Sequence, residues 1–287
     1  MLIRRTIADT RAALASLRAS GKSIGFVPTM GALHAGHISL VHAAKSACDA
    51  VVVSIFVNPT QFAPNEDFSK YPRTFESDRA LLEAENVDLI FAPEPAEMYP
   101  EGATTFVEIE EIQDRLDGAS RPGHFRGVAT IVAKLFHLIA PDKAFFGQKD
   151  AAQVAVLRRM VRDLNFDLEL VVCPTMREPD GLAMSSRNRY LSPEDRRRAL
   201  ALSQALRAVE HRVAAGVLDA APLIDAALFV LAQDPEIRLD FLRIVDPDTL
   251  QDLPDVSRGA LVAVAAWVGP ARLIDNTLIP AAEAGSK

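Results

Sequence analysis

Two histidines, His34 and His37, stand three residues apart in PTMGALHAGHISLVHAAK, with Gly31 and Gly36 on either side of the first. A helical pattern follows them. A metal site built on this pair needs further ligands at suitable spacing, and His42, His124 and His137 do not supply it. A pair of surface or capping imidazoles is the ordinary alternative. The chemical alternative is an anion site. Glycines let the backbone approach a ligand, a helix starting near Gly36 offers first-turn N–H groups and a positive dipole end, and imidazoles donate hydrogen bonds to phosphate oxygens.

Other polar clusters have the same double reading. In GQKDAAQ, from Gly147 to Gln153, Lys149 opens a helix, where a cation works against the dipole unless an anion uses both. Gln153 lies on the same helical face. Asn58 and Gln61 in NPTQF offer amides to a hydroxyl-bearing ligand, or simply a turn before a proline. Asp78 can support a magnesium ion held mainly by phosphates, or stand as a helix carboxylate. Ser185, Ser186 and Arg187 can clamp phosphates, or lie in a polar loop without a role. Neither a P-loop nor a G-x-G-x-x-G fingerprint is present.

The elements around these clusters alternate. Strand-like runs fall at 23–29, 50–58, 87–93, 104–110, 143–147 and 168–174, several of them apolar throughout, as strands covered on both faces are. Helical patterns cover IADTRAALASLRAS, GHISLVHAAKSA, TFESDRALLEAEN, GVATIVAKLFHLIA and KDAAQVAVLRRMVRDL, the last with a stripe of Val154, Leu157, Val161 and Leu164. This order predicts an α/β fold: a Rossmann-like N-terminal domain with a mostly parallel sheet, over residues 1–175. Such sheets bind ligands beyond the C-terminal ends of their strands, and the polar clusters fall there. After Pro174 the chain turns polar. Ser192-Pro193-Glu194-Asp195 reads as a capped helix start, and RLDFLRIVD, ALVAVAAWVG and ARLIDNTLI read as three strands. A smaller α+β C-terminal domain with a short antiparallel sheet is therefore expected over 176–287, the boundary lying within 175–190.

The chain has 287 residues, 49% hydrophobic and 24% charged, which is ordinary for a globular protein with a substantial core. A formal net charge of -7 disfavours nucleic acid as a partner. Two distant cysteines, Cys48 and Cys173, argue against a disulfide framework and suit a cytoplasmic location. No apolar run is long enough for a membrane span, and MLIRRTIADT lacks the apolar core of a secretory signal. The tail AAEAGSK is expected to fray.

Taken together the clusters resemble a known family. HAGH is similar to the H-x-G-H element of nucleotidyltransferases and class I aminoacyl-tRNA synthetases, and GLAMSSRN to their KMSKS-type loop. In order, VPTMGALHAGH, SIFVNPTQF, YPRT, RPGHFRGVATIVAKLF, FFGQKDAAQ and REPDGLAMSSRNRYLS resemble the pantoate–β-alanine ligases along essentially the whole chain. The resemblance implies an ATP-dependent condensation of pantoate with β-alanine through a pantoyl adenylate, releasing pyrophosphate and AMP. It also implies a homodimer, magnesium accompanying ATP, and a C-terminal domain that covers the site. By motif, Met30, Gly31, Ala32, Leu33, His34, Ala35, Gly36 and His37 would line the ATP site, with His34 and His37 on the phosphates. Gly147, Gln148, Lys149 and Asp150 would bind ATP, Lys149 on the phosphates and Asp150 on the ribose. Met184, Ser185, Ser186 and Arg187 would close over the triphosphate, and Met176 would lie at the adenine. Gln61, Asn58 and Gln153 would hold pantoate, Gln61 also lying near β-alanine, and Asp78 would face magnesium. The loop departs from literal KMSKS, with Arg187 the only cation in its MSSR core. Rival readings are another nucleotidyltransferase with a phosphate-bearing acceptor, a tRNA-charging enzyme, which the acidic chain disfavours, and a nucleotide-sensing module.

Overall fold

A computed structural model of the chain describes residues 1–62, 68–69 and 71–282, so the expected fraying of the tail from 283 falls outside the described residues. The elements run β1 (Leu2–Arg4), α1 (Ile7–Ala19), β2 (Ile24–Thr29), α2 (Ala35–Ala47), β3 (Ala50–Ile55), α3 (Phe75–Ala84), β4 (Leu89–Phe91), α4 (Pro95–Met98), α5 (Asp117–Ser120), α6 (His124–Ile139) and β5 (Lys143–Gly147). Then come α7 (Ala151–Asp163), β6 (Glu169–Cys173), α8 (Pro193–Ala214), α9 (Ala220–Leu231), β7 (Arg238–Val245), β8 (Ala260–Val268) and β9 (Ala271–Ile279). Short 3₁₀ turns at Pro59–Gln61, Gln148–Asp150 and Ser186–Tyr190 carry site candidates.

By contacts the chain divides into two compact units. One holds Met1–Asp114, Arg121–Gly147 and Val156–Pro174; the other holds Arg115–Ser120, Gln148–Ala155 and the chain from Thr175 onward. The first is built on a six-stranded sheet ordered β1-β4-β3-β2-β5-β6, parallel at every pairing. Its order reverses at β2, between β3 and β5, which makes the C-terminal ends of β2 and β5 the switch point of an open Rossmann-like sheet. The apolar runs become strands because both faces are covered. Val27, Val51, Val53 and Ile90 pack with Leu40, Val41 and Ala44 of α2 in one buried cluster.

The second unit has the three-stranded antiparallel sheet β7-β8-β9. Val262, Val264 and Ala266 of β8 pack with Leu202, Leu206 and Val209 of α8 and Leu223 and Ala227 of α9. Ser192 caps α8 as its sequence predicts, its hydroxyl accepting from the Asp195 N–H at 3.0 Å.

Two local expectations fail, and one strand is additional to those expected. Residues 104–110 alternate like a strand but form none, and they have no ladder partner among the described residues. Side chains tie them to α6 instead. The Val107 N–H donates to Thr130 Oγ1 at 3.0 Å, and Phe106 takes the Arg126 guanidinium over its ring at 3.6 Å. Conversely β1, only three residues long, is too short to show a period yet pairs with β4 through Leu2 and Leu89. Leu164, assigned to the apolar stripe of α7, lies past the end of that helix and is exposed.

Candidate active site

In the first unit, β2 delivers the chain into Met30–His37. Gly31 (φ 82°) and Ala32 (φ 52°) both adopt the left-handed conformation, which turns successive N–H groups to one side. The buried carboxylate of Asp78 receives them, Oδ2 from Ala32 N–H at 2.9 Å and Oδ1 from Leu33 N–H at 2.8 Å. Gly31 is required by space as well as by φ. A Cβ there would stand 3.0 Å from Asp78 Oδ2 and 3.2 Å from Ile55 Cγ2.

His34 is the N-cap of α2. Its Nδ1 accepts from Gly36 N–H at 3.1 Å, and His37 Nδ1 accepts from His34 N–H at 3.3 Å, so the two imidazoles form a reciprocal capping box. The rings lie 4.2 Å apart between centroids, tilted by 47°. A ring nitrogen that accepts a hydrogen bond carries no proton, so the geometry puts the proton of each imidazole on Nε2. Two N–H donors on one helix start, reinforced by the helix dipole, suit a phosphate or carboxylate.

A second cluster of the same unit centres on Gln61. Asn58 is buried, and its amide is spent inside the protein. Nδ2 donates to Gln61 Oε1 and to the Gly127 carbonyl, both at 3.1 Å, while Oδ1 accepts from the Tyr99 hydroxyl at 2.8 Å and the Thr60 hydroxyl at 3.0 Å. Burial pushes the Tyr99 phenol up, which keeps it a donor. Asn58 is thus bonded to Gln61, whose Nε2 lies 2.8 Å from Met30 Sδ. Helix α6 approaches this turn so closely that a Cβ at Gly127 would lie 2.3 Å from the Thr60 carbonyl oxygen. Arg121 Nη1 lies 2.9 Å from His124 Nε2, and His124 Nδ1 lies 2.8 Å from the Gln61 carbonyl. A guanidinium only donates, so His124 accepts at Nε2 and donates at Nδ1. Arg121 was not singled out by sequence and His124 was weighed only as a metal ligand; the signal for both was their place in RPGHFRG.

Gly147 ends β5 in the first unit, and the second unit holds the remaining candidates. Lys149 sits in the Gln148–Asp150 turn, its Nζ 3.5 Å from Asp150 Oδ1, and Gln153 lies in the first turn of α7. Residues 176–184 form a narrow hairpin. Glu178 N–H donates to the Leu182 carbonyl at 2.8 Å and Met184 N–H to the Met176 carbonyl at 2.9 Å. The hairpin therefore sets Met176 against Met184, although they are eight apart in sequence. Arg196 clamps its tip through ion pairs to Glu178 and Asp180. Ser185 caps the following turn, its Oγ accepting from Arg187 N–H at 3.2 Å. Met176 is exposed on this hairpin, and its carbonyl is committed to Met184.

The geometry does not fit the expected role of Asp78 at a metal. Both oxygens accept backbone N–H groups, and the Thr74 hydroxyl lies 3.1 and 3.2 Å from them. No group of three or more histidine, cysteine, aspartate or glutamate side chains suited to a metal occurs among the described residues. Asp78 is a loop-holding carboxylate at the start of α3, where the dipole favours it.

The six-stranded parallel sheet with these motifs at its strand ends places the chain among Rossmann-like α/β proteins. The chain belongs to the pantoate-beta-alanine ligase family, whose model matches residues 2–278. It is 65% identical over 285 residues to the pantothenate synthetase of Acidobacterium capsulatum, covering 96% of this chain and 95% of that protein. Against the crystal structure of pantothenate synthetase from Thermus thermophilus the TM-score is 0.92 at 50% identity, covering 96% of this chain and 99% of that one. The pantoate-beta-alanine ligase of Francisella tularensis, complexed with Beta-gamma ATP and Beta-alanine, superposes with a TM-score of 0.81 at 36% identity, covering 97% of each chain. Among the described residues no helix is long and apolar enough to cross a membrane.

Proposed function

We propose that the chain joins pantoate to β-alanine at the expense of ATP, through a pantoyl adenylate. In the first step a pantoate carboxylate oxygen attacks the α-phosphorus, and the bond to the bridging oxygen breaks to release pyrophosphate. In the second the amine of β-alanine attacks the acyl carbon. AMP leaves and the amine proton is lost, giving pantothenate. The observation that carries this reading is the imidazole pair at the start of α2, with both protons on Nε2 and the helix dipole behind them. The family match and the relatives' names support the choice of substrates.

The first step needs no general base, since a carboxylate is already ionised at neutral pH. It needs alignment and compensation for charge moving to pyrophosphate. His34, His37, Lys149 and Arg187 are assigned to that compensation. Met30 to His37, Gly147 to Asp150, Met176 and Met184 to Arg187 are assigned to ATP, Gln61 and Gln153 to pantoate, and Gln61 also to β-alanine. Asn58 orients the Gln61 amide. The same reading has magnesium arriving on the phosphates of ATP rather than on Asp78. It also takes the active form as a cytoplasmic homodimer and the functional division of the chain as falling within 175–190.

The test is pyrophosphate release from ATP that depends on pantoate, followed by AMP and pantothenate on adding β-alanine. Release that ignores pantoate, or an adenylate that β-alanine does not discharge, overturns the proposal.

A further inference from the structure

Two consecutive residues of β9, Asp275 and Asn276, are almost fully buried, at 3% and 5% exposure, in a sheet otherwise packed by Val, Ala and Leu. A buried carboxylate and amide cost free energy unless their partners are well placed. Apart from the Asn276 N–H, which donates to Asp275 Oδ1 at 2.8 Å, the side-chain partners belong to two segments. Asn276 Nδ2 donates to the carbonyls of Gln148 at 3.0 Å and Lys149 at 2.9 Å, and its Oδ1 accepts from Gln148 Nε2 at 3.0 Å. Three bonds thus fix one three-residue turn. Asp275 receives the Arg177 guanidinium in a two-pronged pair, at 2.6 and 2.9 Å, and Arg177 Nη1 also donates to the Gly181 carbonyl at 3.1 Å. The Asp275 hydrogen bond is the main cause that holds the Arg177 guanidinium above its ordinary pKa. Side chains of successive strand residues point to opposite faces, so one dipeptide serves the lysine turn from one face and the methionine hairpin from the other.

We infer that Asp275 and Asn276 are positioning residues for the nucleotide: they set the Lys149 turn and the 176–187 hairpin at a fixed separation. This rests on the functional reading above, in which both segments handle ATP. A hydrophobic pair in these positions would leave two main-chain carbonyls without their donor and the Arg177 guanidinium with the Gly181 carbonyl alone, at a cost to stability as well as to the placing of the two segments.

The decisive measurement is ATP affinity by titration calorimetry in the absence of other substrates, together with pantoate-dependent pyrophosphate release and the thermal midpoint. Asn276→Ala is expected to weaken ATP binding by about tenfold, the equivalent of one or two hydrogen bonds. It is expected to lower the rate of pyrophosphate release on the order of a hundredfold, as for a misplacement of about 1 Å, with the KM for pantoate unchanged. Asn276→Ser keeps one donor and is expected to recover part of the loss. Asp275→Asn, which keeps the shape and removes the charge, is expected to weaken ATP in the same way. Should Asn276→Ala not fold, the serine and Asp275→Asn variants decide. Wild-type ATP affinity in these variants, or a loss shared equally by ATP and pantoate, overturns the inference. If the wild type binds ATP but activates another acid, the functional reading fails, and the ATP affinities still decide this one.

Discussion

The Met30–His37 segment and the Gln148–Asp150 turn have the same local plan: each follows a strand of the parallel sheet and leads into a helix. Their bracing differs. The first is capped by its own side chains, each imidazole accepting from an N–H within three residues, with one carboxylate 45 positions on. The second takes its hydrogen bonds from Asn276, 127 positions on. A glycine-bearing turn that finishes in a helix cap can hold itself. A three-residue turn whose carbonyls point away from its helix needs a donor from elsewhere. The difference separates what each site loses when one residue changes.

The largest expected effect comes from the turn whose proposed function rests on one largely covered cation. Lys149→Ala should lower pantoate-dependent pyrophosphate release by about a thousandfold or more, with far-ultraviolet dichroism and the thermal midpoint unchanged; near-normal release would remove Lys149 from the chemistry. Next is the helix cap. His34→Asn keeps a good capping acceptor and removes the Nε2 donor, so the rate should fall by roughly 3–4 kcal/mol of transition-state stabilisation, on the order of a hundred- to a thousandfold. Stability should hold, whereas His34→Ala should lose in addition about 1 kcal/mol of it. Equal melting of the two variants would refute the capping role.

Asp78→Asn probes the remaining brace of the first segment. It keeps one accepting oxygen and turns a donor toward the other N–H group, which should cost roughly 1–3 kcal/mol for the one left unsatisfied, read by denaturant unfolding, with no change in the magnesium dependence of the rate. A metal ligand would show the opposite. Gly127→Ala should cost about 1–3 kcal/mol by overpacking and raise the KM for pantoate, because the methyl meets the turn that bears Gln61. The smallest effect concerns pH. The Arg196 hydrogen bond holds Asp180 below its ordinary value of 3.8. The tie at the hairpin tip is therefore present above that value and lost as pH falls through the depressed one. An acid titration followed at the Asp180 carboxyl by NMR checks the direction.

The comparison also explains what was legible in the sequence. Continuous apolar runs such as AVVVSI announced strands covered on both faces, and Ser192-Pro193 announced a helix start, because those signals are local. The alternation at 104–110 was local too, but a strand needs a neighbour, and none of the described strands lies beside it. Asn58 was read as ligand-facing because a polar residue near a strand end suggests a site, and Asp78 because a carboxylate can support a phosphate-held magnesium. Spacing does not reveal that their partners are the backbone of Ala32 and Leu33, or the carbonyl of Gly127, 69 positions on. ARLIDNTLI was read only as a strand, and it is the folded chain that brings Asp275 and Asn276 to Arg177 and Gln148.

The distance from Lys149 to its brace has a consequence for synthesis. At about 5–20 residues per second, the ribosome needs on the order of ten seconds more to reach Asn276 after making Lys149. During that interval the growing chain can assemble the parallel sheet and cap α2, both from residues already made. The lysine turn must wait for the final strand. Nascent and C-terminally clipped chains should therefore be folded in part yet unable to use ATP, so that intactness of the far end governs when the enzyme first becomes competent.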